Sequence, residues 1–121
     1  MYRRGDIYYA DLGNTSGCCI SGIRPVLIVS NDRANQKSPV LTVVPLTTRM
    51  KKSYLPTHVA LSPEDSGGLR RTSMILAEQI RSIDKRCLLS YAGHVARDRI
   101  MRRVVRALLV QLGTETRQRW N

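Results

Sequence analysis

Long apolar segments are absent from this sequence. No apolar run approaches the roughly 20 residues that a helix needs to span a bilayer. The first residues, MYRRGDIYYADLG, are basic but contain neither the apolar stretch nor the small-residue cleavage site of a secretory signal. We therefore expect neither a membrane-spanning nor a secreted protein, and we predict a cytoplasmic location.

Cysteine and histidine are scarce. The chain has three cysteines, of which Cys18 and Cys19 are adjacent and Cys87 stands alone. An odd number without metal-ligand spacing favours reduced thiols in a reducing compartment. The two histidines, His58 and His94, lie far apart in the sequence and have no carboxylate partner at ligand spacing. We therefore expect no metal site and no cofactor.

Acidic residues are few compared with basic ones. Twenty Lys and Arg residues stand against nine Asp and Glu residues, which gives a formal net charge of +11. Such a surplus favours a polyanionic partner, and the composition leaves open whether this is RNA, DNA, an anionic membrane surface or an acidic protein. The simplest alternative is that the charge serves only solubility.

The length of the chain and its short apolar segments predict one small domain. A length of 121 residues suits a single core. Short apolar and β-branched segments, separated by turns rich in Gly, Pro and Ser, predict strands at residues 6–11, 25–30, 40–46, 55–61 and 72–83. The strand 40–46 contains Pro45, which predicts an edge position or a bulge because proline cannot donate to the ladder.

The hydrophobic period changes near the end of the sequence. From Asp98, apolar residues recur at three- and four-residue intervals, which is typical of an amphipathic helix, and Gly113 is placed to end it. The predicted apolar face consists of Ile100, Met101, Val104, Val105, Leu108, Leu109 and Leu112. Together these elements predict an α+β fold, a small antiparallel barrel or curled sheet closed by one helix. This single domain is expected to cover residues 1–113, and the tail 114–121 is expected to be disordered.

Four segments of the chain resemble those of the MazF/PemK toxin family. They are RRGDIYYADL, GIRPVLIVSND, LPTHV and AEQIRSIDK, and they follow one another in the family's order. The resemblance implies an SH3-like β-barrel of the CcdB/MazF type, a homodimer, and a metal-independent endoribonuclease. Members of this family cut single-stranded RNA at short sequences and leave a 2′,3′-cyclic phosphate and a 5′-hydroxyl. A cognate antitoxin, here expected to contribute an acidic segment, holds them inactive.

The resemblance also implies a catalytic pair. The family's arginine before Pro-Val is Arg24 here, and its guanidinium suits a phosphate that gains charge during cleavage. The partner is a threonine at the end of the next strand; counting without gaps reaches Thr47, and Thr48 stays open as the alternative. We expect Arg24 to act as acid or base and charge stabiliser, and Thr47 to orient the phosphate. From the residues alone, a surface salt bridge is the favoured interpretation for Arg24, and a hydroxyl bonded to its own backbone is the alternative for Thr47.

Further contacts with RNA are expected from three segments. The loop before Arg24 would close over the scissile phosphate, a basic connector would follow the backbone, and a third segment matches family positions that face the RNA. The predicted RNA-binding residues are Gly17, Cys19, Ile20 and Ser21 in the loop, Thr48, Arg49 and Lys52 in the connector, and Glu78, Gln79 and Arg81 in the third segment. For the basic connector, a solvated turn is the alternative.

The loop departs from the family pattern. Relatives often carry Gly-Ser-Glu-Gln-Gly-Gly before the arginine, whereas this chain has Gly-Cys-Cys-Ile-Ser-Gly at 17–22. Cys19 replaces a glutamate that could bind a base edge or assist proton transfer. This supports a second hypothesis from another class, in which the fold grips nucleic acid or a protein such as a topoisomerase without cutting. The basic final helix would suit an acidic antitoxin segment or further contacts with the RNA backbone, and a solvated helix face is favoured over either.

Overall fold

A computed structural model describes residues 1–14, 17, 19–49 and 55–114 of the chain. It contains seven strands: β1 (Asp6–Asp11), β2 (Ile23–Ile28), β3 (Val40–Thr47), β4 (His58–Leu61), β5 (Ser73–Leu76), β6 (Arg81–Asp84) and β7 (Leu88–His94). Its helices are α1 (Asp32–Lys37), α2 (Pro63–Ser66) and α3 (Asp98–Gln111), and two 3₁₀ turns cover Ala77–Gln79 and Lys85–Cys87. The predicted RNA contact of Lys52 and the tail from residue 115 onward lie outside the described residues.

The strands form one antiparallel sheet with the order β4-β5-β3-β2-β1-β7, and β6 pairs with β3 away from this path. Strand β3 is the central strand, because it pairs with β2 on one edge and with both β6 and β5 on the other. The helix α3 follows the last strand. The predicted α+β class, an antiparallel sheet with a C-terminal amphipathic helix, is confirmed.

The edge position predicted from Pro45 is wrong. Strand β3 is central, and Pro45 itself is paired with Val26 of β2. On its other edge, β3 pairs with β6 through residues 40–43 and with β5 through residues 46–47. Pro45 therefore lies where that edge passes from one partner to the other, and a residue without an N–H is tolerated at such a break in the ladder.

Helix α1, which follows β2, was not predicted from the sequence. Its N-cap is Asn31, whose side chain accepts a hydrogen bond from the Ala34 N–H at 2.9 Å, the usual way to satisfy a first-turn donor. Asn35 in the same helix is 1% exposed and donates through Nδ2 to the Ser30 carbonyl at 2.9 Å. A buried amide rather than an apolar residue anchors this short helix, so the sequence has no hydrophobic periodicity from which the helix could be predicted.

The predicted strand 72–83 is interrupted, and strand β7 was not predicted. A 3₁₀ turn at Ala77–Gln79 separates β5 from β6, so the two halves pair with different parts of β3. Strand β7 has only one fully buried residue, Gly93. Because most residues of β7 are not buried, the sequence has no apolar run that would predict a strand there. The strand nevertheless pairs with β1 along its length.

Helix α3 packs on the core with a face slightly rotated from the predicted one. Ile100, Met101 and Val104 are buried as expected, together with Ala107 and Val110. Of the other four predicted positions, Leu108 is half-buried and packs against the core, whereas Val105, Leu109 and Leu112 are 39%, 41% and 66% exposed. Among the described residues, no helix has the length and apolar character to cross a membrane.

Gly113 ends α3 as predicted. It has a φ of +82°, the left-handed conformation that glycine adopts without strain. Its N–H donates to the Val110 carbonyl at 3.1 Å, and the Thr114 N–H donates to the Leu109 carbonyl at 3.0 Å. This pair of bonds is a Schellman motif, which satisfies carbonyls left open at the helix end.

Two glycines bring the turn after α2 against β7. A Cβ on Gly68 would lie 2.0 Å from the Ala92 carbonyl oxygen, and a Cβ on Gly93 would lie 2.3 Å from the Ser66 carbonyl oxygen. Only residues without a side chain allow two backbones to approach this closely. The contact fixes the segment 68–71 beside the sheet, where it forms one wall of the cavity described next.

Candidate active site

A groove of about 570 Å³ opens at the ends of β2 and β3. Arg24 on β2 and both Thr47 and Thr48 at the end of β3 line it. The opposite wall is the segment 68–71, which the close backbone contact of Gly68 holds in place. The structure therefore brings the predicted catalytic residues to one cavity.

Arg24 is exposed and anchored at one nitrogen. Its Nε donates to the Ser21 carbonyl at 3.2 Å, and within the described part of the chain no carboxylate pairs with it. The surface salt bridge considered from sequence is therefore not found there. With Nε occupied, the two Nη groups are the donors that a phosphate can accept from in the bidentate manner.

Thr47 and Thr48 both remain candidates for the partner of Arg24, since both line the groove. The pairing of β2 with β3 ends at Val26 and Pro45, and counting two further residues along each strand leads to Arg24 and Thr47. The Thr47 Oγ1 accepts a hydrogen bond from the Arg49 N–H at 3.1 Å. This is the backbone contact considered from sequence, and it uses the oxygen only as an acceptor, so the hydroxyl proton can be donated to a ligand.

A second pocket of about 150 Å³ adjoins the groove at Thr47. It contains three residues expected to contact RNA, namely Ile20, Arg49 and Gln79. His58 and two apolar side chains of β5 complete its walls. Because Thr47 lines both cavities, an extended ligand can occupy them in succession.

The lining of these cavities is cationic. Arg24, Arg70 and Arg71 line the groove and Arg49 lines the second pocket, whereas no Asp or Glu lines either. Arg70 and Arg71 were missed from the sequence, although a basic pair directly after the Gly67-Gly68 turn was a usable indication. Four guanidinium groups without a lining carboxylate suit a chain of phosphates.

Two tyrosines in the groove were also missed. Tyr9 and Tyr91 line it and are 40% and 55% exposed. The ring of Tyr91 packs edge-to-face on Tyr8, with centroids 5.5 Å apart, and Tyr8 packs in the same manner on Tyr2 at 5.1 Å. Burial, followed by the nearby charge of Asp6, raises the pKa of Tyr8 above its ordinary value of 10.0. Exposed tyrosine rings held in place by packing on other rings offer faces on which unpaired bases can stack.

The third predicted segment faces inward more than expected. Glu78 lines neither cavity; its Oε1 accepts from the Thr57 hydroxyl and its Oε2 contacts His58 Nε2, both at 2.9 Å. Gln79 Oε1 accepts from the Ile20 N–H at 2.7 Å, and Arg81 Nη2 donates to the Ile20 carbonyl at 2.7 Å. The structure thus brings Gln79 and Arg81 to the loop before Arg24.

The remaining loop residues lie outside both cavities. Gly17 and Cys19 are exposed, and Ser21 is half-buried and takes part through its carbonyl oxygen. Ile20 is half-buried, and its side chain packs against the core cluster formed by β1, β2 and β3. The apolar residue at position 20 therefore ties this loop to the core.

Both histidines have carboxylate partners that the sequence spacing did not reveal. His58 contacts Glu78, and His94 Nδ1 lies 2.7 Å from the buried Asp6. Each pair joins elements far apart in the sequence. Within the described residues, no group of three or more His, Cys, Asp or Glu side chains is arranged to hold a metal ion.

Comparison with known proteins identifies the family. The model of the PemK-like, MazF-like toxins of type II toxin-antitoxin systems matches residues 3–112. The chain belongs to the PemK/MazF toxin family. It is 42% identical to endoribonuclease EndoA of Bacillus subtilis over 112 residues, which are 93% of this chain and 95% of that protein. It is 40% identical to endoribonuclease MazF of Staphylococcus saprophyticus over 116 residues, 96% of this chain and 95% of the relative.

A solved structure supports the same assignment. A mycobacterial endoribonuclease in complex with its cognate antitoxin superposes with a TM-score of 0.78 at 32% identity, covering 95% of this chain and 98% of that one. The resemblance of the four sequence segments to the PemK/MazF toxins is confirmed. The sheet and C-terminal helix described above are thus the fold of this family.

Proposed function

We propose that this PemK/MazF toxin cleaves single-stranded RNA without a metal ion and is the toxin of a toxin-antitoxin system. The observation that supports the reaction most directly is the placement of Arg24 and Thr47 on neighbouring strands of one cationic groove. The relatives at 42% and 40% identity are endoribonucleases. The non-cleaving alternative is therefore not favoured.

The chemistry follows from attack by the ribose 2′-hydroxyl. Its oxygen bonds to the adjacent phosphorus, the bond to the 5′ oxygen breaks, and the proton lost from the 2′-hydroxyl is balanced by one gained by the 5′ oxygen. The products are a 2′,3′-cyclic phosphate and a 5′-hydroxyl. The phosphorane gains negative charge on its oxygens, so donors aimed at those oxygens lower the barrier.

Arg24 and Thr47 would supply those donors. Because the Ser21 carbonyl holds the Arg24 Nε, the Nη edge can meet two phosphate oxygens at once and can hand a proton to the leaving oxygen. The Thr47 hydroxyl, held through its oxygen by the Arg49 N–H, would donate to another phosphate oxygen.

Other residues would hold the RNA on either side of the scissile phosphate. Tyr9 and Tyr91 offer stacking surfaces, and Arg70 and Arg71 would follow the backbone along the groove. On the other side of Thr47, Arg49 would continue the electrostatic track. These additions extend the RNA contacts predicted from sequence to the wall opposite Arg24.

The partners follow from the surface and from the relatives. The basic surface would take an acidic segment of a cognate antitoxin; the mycobacterial relative forms a complex with its cognate antitoxin. Exposed apolar side chains, among them Ile23 in the groove at 62% and Leu89 on β7 at 55%, favour a homodimer that covers them. The RNA substrate and the thiols of this chain are consistent with action in the cytoplasm.

The test is cleavage of a mixed transcript pool by the purified protein in EDTA, with sequencing of the 5′-hydroxyl ends. The wild-type chain should cut at a short common sequence. Arg24→Ala should lower the rate by about 10²–10³-fold, the usual cost of removing one transition-state donor. Arg33→Ala removes an exposed arginine on α1, outside the groove, and should leave the rate unchanged.

Two results would contradict this proposal. A folded Arg24→Ala protein that cuts as fast as the wild type would remove Arg24 from the site. RNA binding that weakens steeply with salt but gives no cyclic-phosphate product would favour the binding-module hypothesis instead.

A further inference from the structure

The backbone of Ile20 is held from both sides by two side chains of one segment. Gln79 Oε1 accepts from its N–H, and Arg81 Nη2 donates to its carbonyl oxygen, each at 2.7 Å. The partners lie 59 and 61 residues further along the sequence. Gln79 ends the 3₁₀ turn that precedes β6, and Arg81 begins β6, the strand that pairs with the central strand β3.

The residue after this anchor holds the catalytic arginine. The Ser21 carbonyl accepts from Arg24 Nε at 3.2 Å, one peptide unit beyond the carbonyl that Arg81 grips. Any displacement of Ile20 therefore moves the acceptor that orients Arg24. The link is short, because only one planar peptide bond and the φ and ψ rotations of Ser21 lie between the two carbonyl groups.

The rest of the loop supports the same arrangement. At its base, the Leu12 N–H donates to the Gly22 carbonyl at 2.9 Å and the Gly22 N–H donates to the Gly13 carbonyl at 2.8 Å. The Ile20 side chain packs on the core cluster below it. Between these fixed points, the hydrogen bonds from Gln79 and Arg81 decide where the 20–21 peptide lies.

We propose that Gln79 and Arg81 are positioning residues for cleavage: they fix the loop through the Ile20 backbone and thereby aim Arg24, an inference that rests on the proposed nuclease function. It differs from direct RNA contact by Gln79 and Arg81, which is what the sequence predicts. In the positioning role, Gln79 needs only an acceptor oxygen and Arg81 needs only a donor to a carbonyl. Neither role requires the amide N–H of Gln79 or the full fork of Arg81.

These requirements define matched variants. Gln79→Met and Arg81→Met keep a long side chain but lose the acceptor and the donor, respectively. Gln79→Glu keeps an acceptor oxygen, and Arg81→Lys keeps a cationic donor that can reach a carbonyl. Arg33→Met removes a charge from an exposed site outside the groove and serves as the control.

The first measurement is hydrogen exchange in the peptide that covers residues 13–22. In both Met variants we expect faster exchange in this peptide, with exchange in β6 and α3 unchanged as evidence of an intact fold. Gln79→Glu and Arg81→Lys should exchange like the wild type. Unaltered loop exchange in the two Met variants would overturn the anchorage. This measurement does not depend on activity.

The second measurement separates kcat from KM on an RNA containing the mapped cleavage sequence. The Met variants should lose about 10- to 100-fold in kcat, because misplacement of a catalytic group by 1 Å can cost about 10²-fold, while KM stays within about twofold. The kcat of Gln79→Glu and Arg81→Lys should stay within about threefold of the wild type. A raised KM with unchanged kcat would overturn the positioning role.

Salt dependence provides the last discrimination. If Arg81 contacts a phosphate, Arg81→Met should lower the slope of log Kd against log salt by about one, measured with an RNA carrying a 2′-deoxy nucleotide at the scissile position. The positioning role predicts an unchanged slope. A wild-type chain that cuts no RNA would refute the proposed function itself, whereas unaltered loop exchange would refute only the anchorage, so the two failures are distinguishable.

Discussion

Glu78 provides the sharpest test of whether the third predicted segment serves the RNA or the fold. Its carboxylate receives hydrogen bonds from the Thr57 hydroxyl and from His58 Nε2, each at 2.9 Å. Thr57 is 0% exposed and the His58 side chain is 3% exposed. Because His58 Nδ1 accepts from the Leu55 N–H at 3.2 Å, the ring is held with its proton on Nε2, facing the carboxylate.

Removing this carboxylate leaves two buried donors without an acceptor. Each orphaned buried polar group costs about 1–3 kcal/mol, so Glu78→Ala should lower the free energy of unfolding by about 2–4 kcal/mol. The Glu78 side chain is 26% exposed, so water can reach part of the site, which favours the lower half of that range. Glu78→Gln can accept from His58 through its oxygen and donate to the Thr57 oxygen, so it should cost about 1 kcal/mol or less.

The assay is urea denaturation at pH 7, followed by circular dichroism at one fixed protein concentration because self-association would shift the midpoint. Glu64→Ala, an exposed carboxylate in the first turn of α2, is the control and should change stability by less than about 0.5 kcal/mol. If Glu78→Ala is as mild as this control while the cleavage rate collapses, the hydrogen-bond argument is refuted. Glu78 would then face the RNA, as the sequence predicts.

Three further predictions concern the groove and its supports. Thr47→Ala should reduce cleavage by at least about tenfold and Thr48→Ala should have the smaller effect, because only the hydroxyl opposite Arg24 donates to the phosphate. Thr47→Ser keeps a hydroxyl and should retain most activity. Single-turnover cleavage rates decide between the two threonines. Tyr91→Ala should weaken binding of single-stranded RNA by about 1–3 kcal/mol through lost stacking, measured by fluorescence anisotropy, and Tyr91→Phe should not. Because the pKa of Tyr8 is raised in the fold, its contribution to stability is complete below pH 10 and is lost as pH rises through the higher folded value. Melting temperatures between about pH 9 and 11 should therefore fall more steeply for the wild type than for Tyr8→Phe, and parallel curves would contradict this assignment.

Local sequence patterns predicted some elements correctly, and features that depend on distant backbone contacts were missed. Strand β1 and the helix end at Gly113 follow from local patterns and local hydrogen bonds, and both were predicted. The wall formed by Arg70 and Arg71 depends on the approach of Gly68 to Ala92. No local pattern contains that approach, so two of the groove's arginines were missed although they stand next to a recognised turn.

The role of a polar side chain is a different problem from its location. Gln79 and Arg81 were expected to contact RNA, because they match family positions that face it. A hydrogen bond to an RNA base and a hydrogen bond to the Ile20 backbone need the same donors and acceptors. Residue type therefore cannot distinguish them, and only the observed distances of 2.7 Å to Ile20 favour the internal role.

The hydrogen bonds that hold the loop involve only the backbone of Ile20, and this matters because the loop sequence differs from the family pattern. Gln79 and Arg81 bind the N–H and carbonyl of residue 20, groups that every residue except proline provides. Replacing the family glutamate with Cys19 and the following glutamine with Ile20 therefore changes what the loop offers to RNA without removing what holds it. Ile20 adds contact with the core. The RNA sequence that the loop recognises can thus change while the placement of Arg24 stays the same. This chain should therefore retain the cleavage step even where its target RNA sequence differs from those of its relatives.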